Sequence, residues 1–92
     1  MREDIIIKGI KLVETCGACP EQYDAYNGEG KIVGYLRLRY GWFQVRYPNS
    51  RGNIIFEAHP KGDGLFESDE RLGYLMDAVK AIKKAIKKDK FK

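Results

Sequence analysis

Hydrophobic and polar residues follow two periods along this chain, a strand-like alternation before residue 60 and a helical spacing after residue 67. The alternation predicts strands over about residues 5–15, 21–26, 31–39, 42–47 and 53–58. We expect the first strand to bend at Gly9, because a glycine inside a strand often marks a bend. The helical spacing predicts a helix over about residues 69–88. Its apolar stripe consists of Leu72, Leu75, Val79, Ile82 and Ile86.

The turns between the strands fix which side chains face each other, because a shift of one residue would move every side chain to the opposite face. A two-residue turn at Tyr40-Gly41 places Leu36 opposite Val45. A loop over residues 49–52 places Phe56 opposite Val45 as well. Both turns therefore place Val45 on the inner face of the predicted strand over residues 42–47. The sequence therefore predicts an α+β fold, an antiparallel β-meander of four to five strands with the amphipathic C-terminal helix packed across one face.

Two further pairings follow from the same counting. A turn at residues 27–30 adds a strand in which Tyr23 lies beside Gly34, where its ring would fill the volume that the glycine leaves empty. The 49–52 loop places Tyr47 opposite Ile54 at the far end of the last hairpin. Both pairings assume that the strands contain no bulge, so the structure can test that assumption.

The sheet face away from the helix collects aromatic and basic side chains. By this register it contains Tyr35, Arg37, Arg39, Trp42, Arg46, Ile55 and His59. Rings can stack on a planar base, and guanidinium groups bind phosphate in a bidentate manner. We therefore predict that this face binds an anionic, nucleotide-like ligand. The alternatives are a face covered by the N-terminal strand, by a host protein or by a second subunit in a homodimer, and a face that is scaffold only.

The loop 61–64 combines Lys61 with two glycines and follows the last predicted strand. Successive backbone N–H groups in such a loop can converge on an anion, and Lys61 would add positive charge. Lys61 is therefore included with the predicted ligand-binding residues. The alternative is a loop that needs its glycines only to turn.

Positive charge is concentrated at the C-terminal end. The chain carries a net charge of +4, but the seven lysines and one acid between Lys80 and Lys92 give that segment +6 and leave −2 for the rest. Such a segment can attract the phosphates of nucleic acid or an acidic protein without sequence specificity. The alternative is a solvated helix face that keeps the protein soluble.

Cys16 and Cys19 form a single C-x-x-C motif. Two thiolates at this spacing can hold a tetrahedral metal, although a second subunit would have to complete the site. They could instead form a redox dithiol, or a structural turn with unreacted thiols. The sequence otherwise predicts no metal and no cofactor. With no second cysteine cluster, no secretion signal and no apolar run of membrane-spanning length, the expected location is the cytoplasm.

Candidate catalytic groups are few. There is one histidine, His59, and no serine in a nucleophile context. A catalytic dyad would need Cys16 or Cys19 beside His59, and nothing in the sequence places them together. The sequence therefore predicts a single domain over residues 1–92 that is not an enzyme.

Three motifs resemble small proteins encoded by bacteriophages and prophages. They are C-G-A-C-P-E-Q-Y-D from Cys16, G-Y-L-R-L-R-Y-G from Gly34 and P-K-G-D-G-L-F from Pro60. The resemblance extends from about residue 10 to residue 85. That family has no established activity, so it assigns no catalytic residue here.

The resemblance implies a viral accessory protein in the cytoplasm of a bacterial host. Small phage proteins of this kind often act by binding, and some sequester the nucleotide signals of host immunity. The expected function is therefore non-enzymatic counter-defence through capture of an anionic, nucleotide-like signal. The alternatives are an inhibitor that binds a host defence enzyme or nuclease, and a nucleic-acid-binding module.

Overall fold

The fold is an antiparallel sheet crossed by one helix, as seen in a computed structural model that describes residues 3–16 and 20–90. The described residues form six strands in sequence order, each antiparallel to the next. The strands are β1 (Ile5–Ile7), β2 (Ile10–Glu14), β3 (Glu21–Tyr26), β4 (Ile32–Arg39), β5 (Trp42–Tyr47) and β6 (Asn53–Ala58), and the helix is α1 (Arg71–Lys90). The α+β meander is confirmed, although it has six strands and not four to five.

The additional strand arises because the predicted first strand is a hairpin. Lys8 and Gly9 have φ values of 49° and 83° and form a two-residue turn between β1 and β2. This turn pairs Ile7 directly with Ile10. A continuous strand would have put these two isoleucines on opposite faces, so the hairpin lets both approach the core.

The central hairpin has the predicted register. Tyr40 and Gly41 form the two-residue turn, with φ values of 55° and 71°. Leu36 lies opposite Val45, which in turn lies opposite Phe56. Leu36 and Val45 are fully buried, so the inner face of the meander is the one that the sequence indicated.

Two predicted pairings are wrong because the strands are irregular where they approach their turns. The β3–β4 turn closes on Asn27 and Lys31, and the register shifts by one further residue after Ala25. Tyr23 therefore lies opposite Leu36, two residues from its predicted partner, and Gly34 lies opposite Ala25. The volume above Gly34 is filled from the helix. A Cβ on this glycine would lie 2.6 Å from Cδ1 of Ile82.

A second irregularity lies between β5 and β6, after Val45. It places Arg46 opposite Ile54 and Tyr47 opposite Asn53, one residue away from the predicted pairing. Ile55 packs against the hydrophobic core and does not belong to the outer set of side chains. A bulge of this kind inserts one residue and interrupts the alternation of side chains, which a continuous apolar run such as Ile54-Ile55-Phe56 does not reveal.

The hydrophobic core lies between the sheet and α1. The helix buries Leu75, Ala78, Val79 and Ile82, which confirms most of the predicted stripe. Leu72 was expected in that stripe but is 59% exposed. Two residues further along, Tyr74 packs against the core and stacks on Phe66 at a centroid distance of 5.6 Å.

The helix agrees with the predicted span to within two residues at each end. Its hydrophobic face is narrow, and lysines occupy most of the rest of its C-terminal half. Within the part of the chain that the structure describes, no helix has the length and apolar content needed to cross a membrane.

Candidate functional site

The outer face, defined as the side of β3, β4 and β5 opposite α1, carries the predicted aromatic and basic residues. Arg39 lies opposite Trp42, Arg37 lies opposite Gln44, and Tyr35 lies opposite Arg46. The predicted placement of these side chains on one face is confirmed. Alternation explains it, because their neighbours Leu36, Leu38, Phe43 and Val45 point into the core and are fully buried.

Trp42 is oriented by a hydrogen bond on this face. Its indole Nε1 donates to Oε1 of Glu57 on β6 at 3.0 Å. The indole is half-buried, so part of it faces solvent. Because an indole N–H usually finds a partner, this contact holds the ring in one place and leaves its apolar surface as the part that can make new contacts.

Arg37 and Arg39 follow each other on the same face of β4. No hydrogen bond or ion pair within residues 3–16 and 20–90 involves the Arg37 side chain, and its Nε is buried without a partner. Arg39 is exposed and lies over the ring of Tyr40, 4.9 Å from the ring centre. Neither guanidinium group is neutralised by a carboxylate among these residues.

Arg46 has a different role from the two arginines on β4. Its Nε donates to Oε1 of Gln44 and its Nη1 donates to the carbonyl oxygen of Gly52, both at 2.8 Å. A side chain at Gly52 would overlap the carbonyl of Tyr47, so the turn is tightly folded at this point. Arg46 therefore anchors the β5–β6 turn and has fewer donors left for a ligand.

Tyr35 and the acids complete the outer face. The hydroxyl of Tyr35 donates to Oε1 of Gln22 at 3.2 Å. Asp24 lies opposite Tyr35, and burial raises the pKa of its carboxyl above the ordinary value of 3.8. With Glu57, the face therefore holds two carboxyl groups beside its three arginines. Its positive charge is concentrated around Arg37 and Arg39.

The predicted contributions of His59 and Lys61 fall at the end of the sheet. His59 is exposed, and its Nδ1 lies 3.3 Å from the carbonyl oxygen of Gly41. The ammonium group of Lys61 forms an ion pair with Asp69 at 3.0 Å, and this pairing raises the pKa of Lys61. Lys61 is therefore bonded to the start of the helix, and no described contact joins it to the outer face.

The loop 61–64 does bind an anion, but that anion belongs to the protein. The carboxylate of Glu70 accepts hydrogen bonds from the backbone N–H groups of Lys61, Gly62 and Glu67, at 2.8, 2.8 and 2.9 Å. Burial works to raise the pKa of Glu70, and these three bonds outweigh it and lower the pKa. The bonds to Lys61 and Gly62 fix the loop against the residue that immediately precedes α1, so their N–H groups are occupied.

Sequence reasoning missed a buried carboxylate, Glu21, which is 1% exposed. Its oxygens accept from Nε of Arg71 at 2.9 Å, from the backbone N–H of Phe66 at 3.0 Å and from the hydroxyl of Tyr23. Arg71 also donates to the carbonyl oxygen of Phe66 at 3.0 Å. The signal was present in the alternation, because Glu21 shares its inward parity with Tyr23.

Acid is expected to destabilise the protein through Glu21 and Glu70. Burial works to raise the pKa of Glu21, but the bonds from Arg71, Tyr23 and Phe66 outweigh it and hold the pKa below its ordinary 4.5. Such a group stabilises the fold at pH values above its unfolded pKa, and that contribution is lost as the pH falls through its folded pKa. Both carboxyls therefore act in the same direction.

Urea unfolding at a series of pH values from about 7 to about 3 measures this effect. The free energy of unfolding should fall below about pH 4.5, and the fall should be shallower in Glu21→Gln. A profile with the same acid slope in that variant would contradict the role given to Glu21.

The cysteine motif lies partly outside the described residues. Cys16 is half-buried and forms no disulfide with a described residue, and Cys19 belongs to the segment that the structure does not describe. Within the described ranges, no group of three or more histidine, cysteine or acidic side chains is arranged to hold a metal ion. A site shared across a dimer stays a prediction.

Comparison with known proteins leaves function to be argued from this geometry. The chain matches no protein family, no curated protein and no solved structure. The resemblance to bacteriophage proteins therefore stays a prediction that depends on the three sequence motifs. A fold alone does not specify an activity, so the outer face must carry the functional argument.

Proposed function

We propose that this protein is a non-enzymatic binding protein that holds a small anionic, nucleotide-like ligand on its outer face. The observation that carries the proposal is the pair Arg37 and Arg39, which share one face of β4 and have no carboxylate partner among the described residues. Tyr35 precedes this pair on β4, and Trp42 lies opposite Arg39.

The spacing of the two arginines suits phosphate. Residues two apart on a strand lie about 7 Å apart, so two guanidinium groups can bind one phosphate from two sides or two neighbouring phosphates. Arg37 lies between Gln22, which is half-buried, and Gln44, which is 1% exposed, so only the Gln22 side chain can give the ligand polar surroundings. The Gln22 side-chain oxygen already accepts a hydrogen bond from Tyr35, which leaves the N–H groups of Gln22 as donors.

The aromatic rings would supply the rest of the affinity. Trp42 is held by Glu57, so its ring is ordered before a ligand arrives and less entropy is lost on binding. Stacking of a base on such a ring contributes about 1–3 kcal/mol. For a protein that resembles phage accessory proteins, a nucleotide signal of host immunity is the ligand with this combination of planar base and phosphate.

Trp42 also provides the measurement, because it is the only tryptophan in the chain. A panel of cyclic dinucleotides and cyclic ADP-ribose should include a ligand that changes its fluorescence and raises the melting temperature. Ligand at about one hundred times its dissociation constant stabilises the folded state by about 2.7 kcal/mol. A panel in which no ligand changes either signal would contradict the proposal.

The variant test compares two double substitutions that remove the same charge. Arg37→Gln with Arg39→Gln should weaken binding at least about tenfold, because hydrogen bonds to charged groups are worth about 1.5–3 kcal/mol each. Arg51→Gln with Lys88→Gln changes two exposed residues outside the outer face and should keep binding within about twofold. Equal weakening in both variants would show that binding follows net charge and not this face.

A further inference from the structure

A second basic site lies on the helix side of the molecule, between the C-terminal half of α1 and the turns that end β1 and β3. This cleft has a volume of about 910 Å³, within the range of ligand-binding pockets. Six described lysines line it, five from the helix and one from the β1–β2 turn. They are Lys8, Lys80, Lys83, Lys84, Lys87 and Lys90.

The charge of this lysine cleft is not balanced within the described part of the chain. No acidic side chain lines it, and none of its lysines forms one of the ion pairs found there. Asp89 is on the same stretch of helix, but its carboxylate accepts a hydrogen bond from the hydroxyl of Tyr47 at 2.9 Å. Asp77 lines the adjoining groove and not the cleft.

A solvated helix face does not account for the whole arrangement. Lysines near a helix C-terminus are favoured by the helix dipole, which explains Lys87 and Lys90 in the last turn. It does not explain Lys80, which lies about two turns before Lys87. Lys8 comes from a different element, and its carbonyl oxygen accepts a hydrogen bond from Nζ of Lys83 at 3.0 Å. That contact connects the two walls of the cleft.

The rest of the lining adds polar donors and apolar surface. Oδ1 of Asn27 accepts from the backbone N–H groups of Glu29 and Lys31, both at 3.0 Å, which leaves its NH2 group as a donor. Ile10 and Ile86 contribute aliphatic surface. The cleft therefore offers cations along its walls with a small apolar area between them.

We propose that this lysine cleft binds a single strand of nucleic acid through its phosphate backbone. From Lys80 to Lys90 the helix rises about 15 Å, a length that several consecutive phosphates would cover. A single strand of nucleic acid carries a negative charge at every nucleotide, so it can contact the lysines along the whole cleft. Its sugars can contact Ile10 and Ile86. A single nucleotide carries too few charges to do so.

The residue types also predict how the strand is recognised. Lysine carries its charge on a flexible side chain and lacks the planar, bidentate donor group of arginine. It therefore contacts phosphates and does not distinguish one base from another. Binding should therefore depend little on sequence and strongly on salt. A single strand can follow the lysines of the cleft with its backbone, so it should bind more tightly than a duplex of the same length.

The experiment measures fluorescence anisotropy of a labelled oligothymidylate of about twelve nucleotides, a length typical of single-strand binding sites. Lys84→Gln with Lys87→Gln should weaken binding at least about tenfold and lower the salt slope by about 1.4, since each phosphate contact contributes about 0.7. The control, Arg51→Gln with Lys88→Gln, removes the same charge and should stay within about twofold. Melting temperatures verify that both variants fold.

Four outcomes would overturn the proposal. They are no binding at about 50 mM salt, equal weakening in both double variants, tighter binding of a duplex of the same length, and equal binding of polyglutamate. Arg37→Gln with Arg39→Gln should leave oligothymidylate binding within about twofold, because those residues lie on the outer face. Failure of the lysine cleft and failure of the outer face are therefore distinguishable.

Discussion

Replacing Glu21 with Ala is expected to lower the free energy of unfolding by about 3–5 kcal/mol, because removing one partner of a buried ion pair leaves the other charge uncompensated. The Glu21 side chain is fully buried, and that of Arg71 is 21% exposed. The substitution also removes the acceptor of the Phe66 N–H and of the Tyr23 hydroxyl. Natural domains have free energies of unfolding of only about 5–15 kcal/mol, so this loss would remove a large part of the stability.

Urea unfolding followed by circular dichroism measures the effect. Glu29→Ala is the control, because it removes an exposed acid in a turn and should change the stability by less than about 0.5 kcal/mol. The double variant Glu21→Ala with Arg71→Ala leaves neither charge unpaired. Its loss of unfolding free energy should therefore be smaller than the sum of the losses in the two single variants. Strict additivity would show that the two side chains do not act together.

The central hairpin could be predicted from the sequence because two independent constraints agreed. Tyr40-Gly41 fixed the turn, and the alternation on both sides fixed the inward face. The first hairpin was missed although its signal was present. Ile7 and Ile10 are three residues apart, so a single continuous strand would place them on opposite faces. A hairpin that turns at Lys8-Gly9 pairs the two isoleucines and lets both face the core.

Errors in register began where the strands are irregular. The shifts after Ala25 and after Val45 each move one residue out of phase, and neither is preceded by a residue type that demands it. The position of Gly34 under Ile82 depends on where the helix crosses the sheet. That crossing is set by tertiary packing of α1, which hydrophobic periodicity does not specify.

The composition of the outer face could be predicted, but the internal bonds of its members could not. Alternation placed Arg37 and Arg46 on the same face, yet one has no described partner and the other anchors a turn. Lys61 has the right charge, but it forms an ion pair with Asp69, which lies two residues before the helix. Pairing of this kind depends on distances across the fold that the order of residues does not contain.

Phe43→Ala is expected to be the other strongly destabilising change, with a loss of about 3–5 kcal/mol. Phe43 is fully buried on the inner face of the sheet. Its ring contacts Phe66, Tyr74 and Phe56 edge to face, at centroid distances of 5.0, 6.1 and 6.2 Å. These rings belong to the loop, the helix and β6, so the one side chain connects three parts of the fold to β5.

Thermal unfolding measures this loss, since each kcal/mol lowers the melting temperature of a domain of this size by about 4–8 °C. Phe43→Leu keeps most of the apolar volume and should cost less than half as much, whereas Leu65→Ala, at a residue that is 43% exposed, should cost still less. Equal losses for Ala and Leu at position 43 would contradict the contribution of the ring contacts. Phe43 points away from the outer face. A folded Phe43→Leu protein should therefore keep its ligand affinity at Trp42 and the neighbouring arginines. This result would separate the stability of the sheet from the binding function proposed for its outer face.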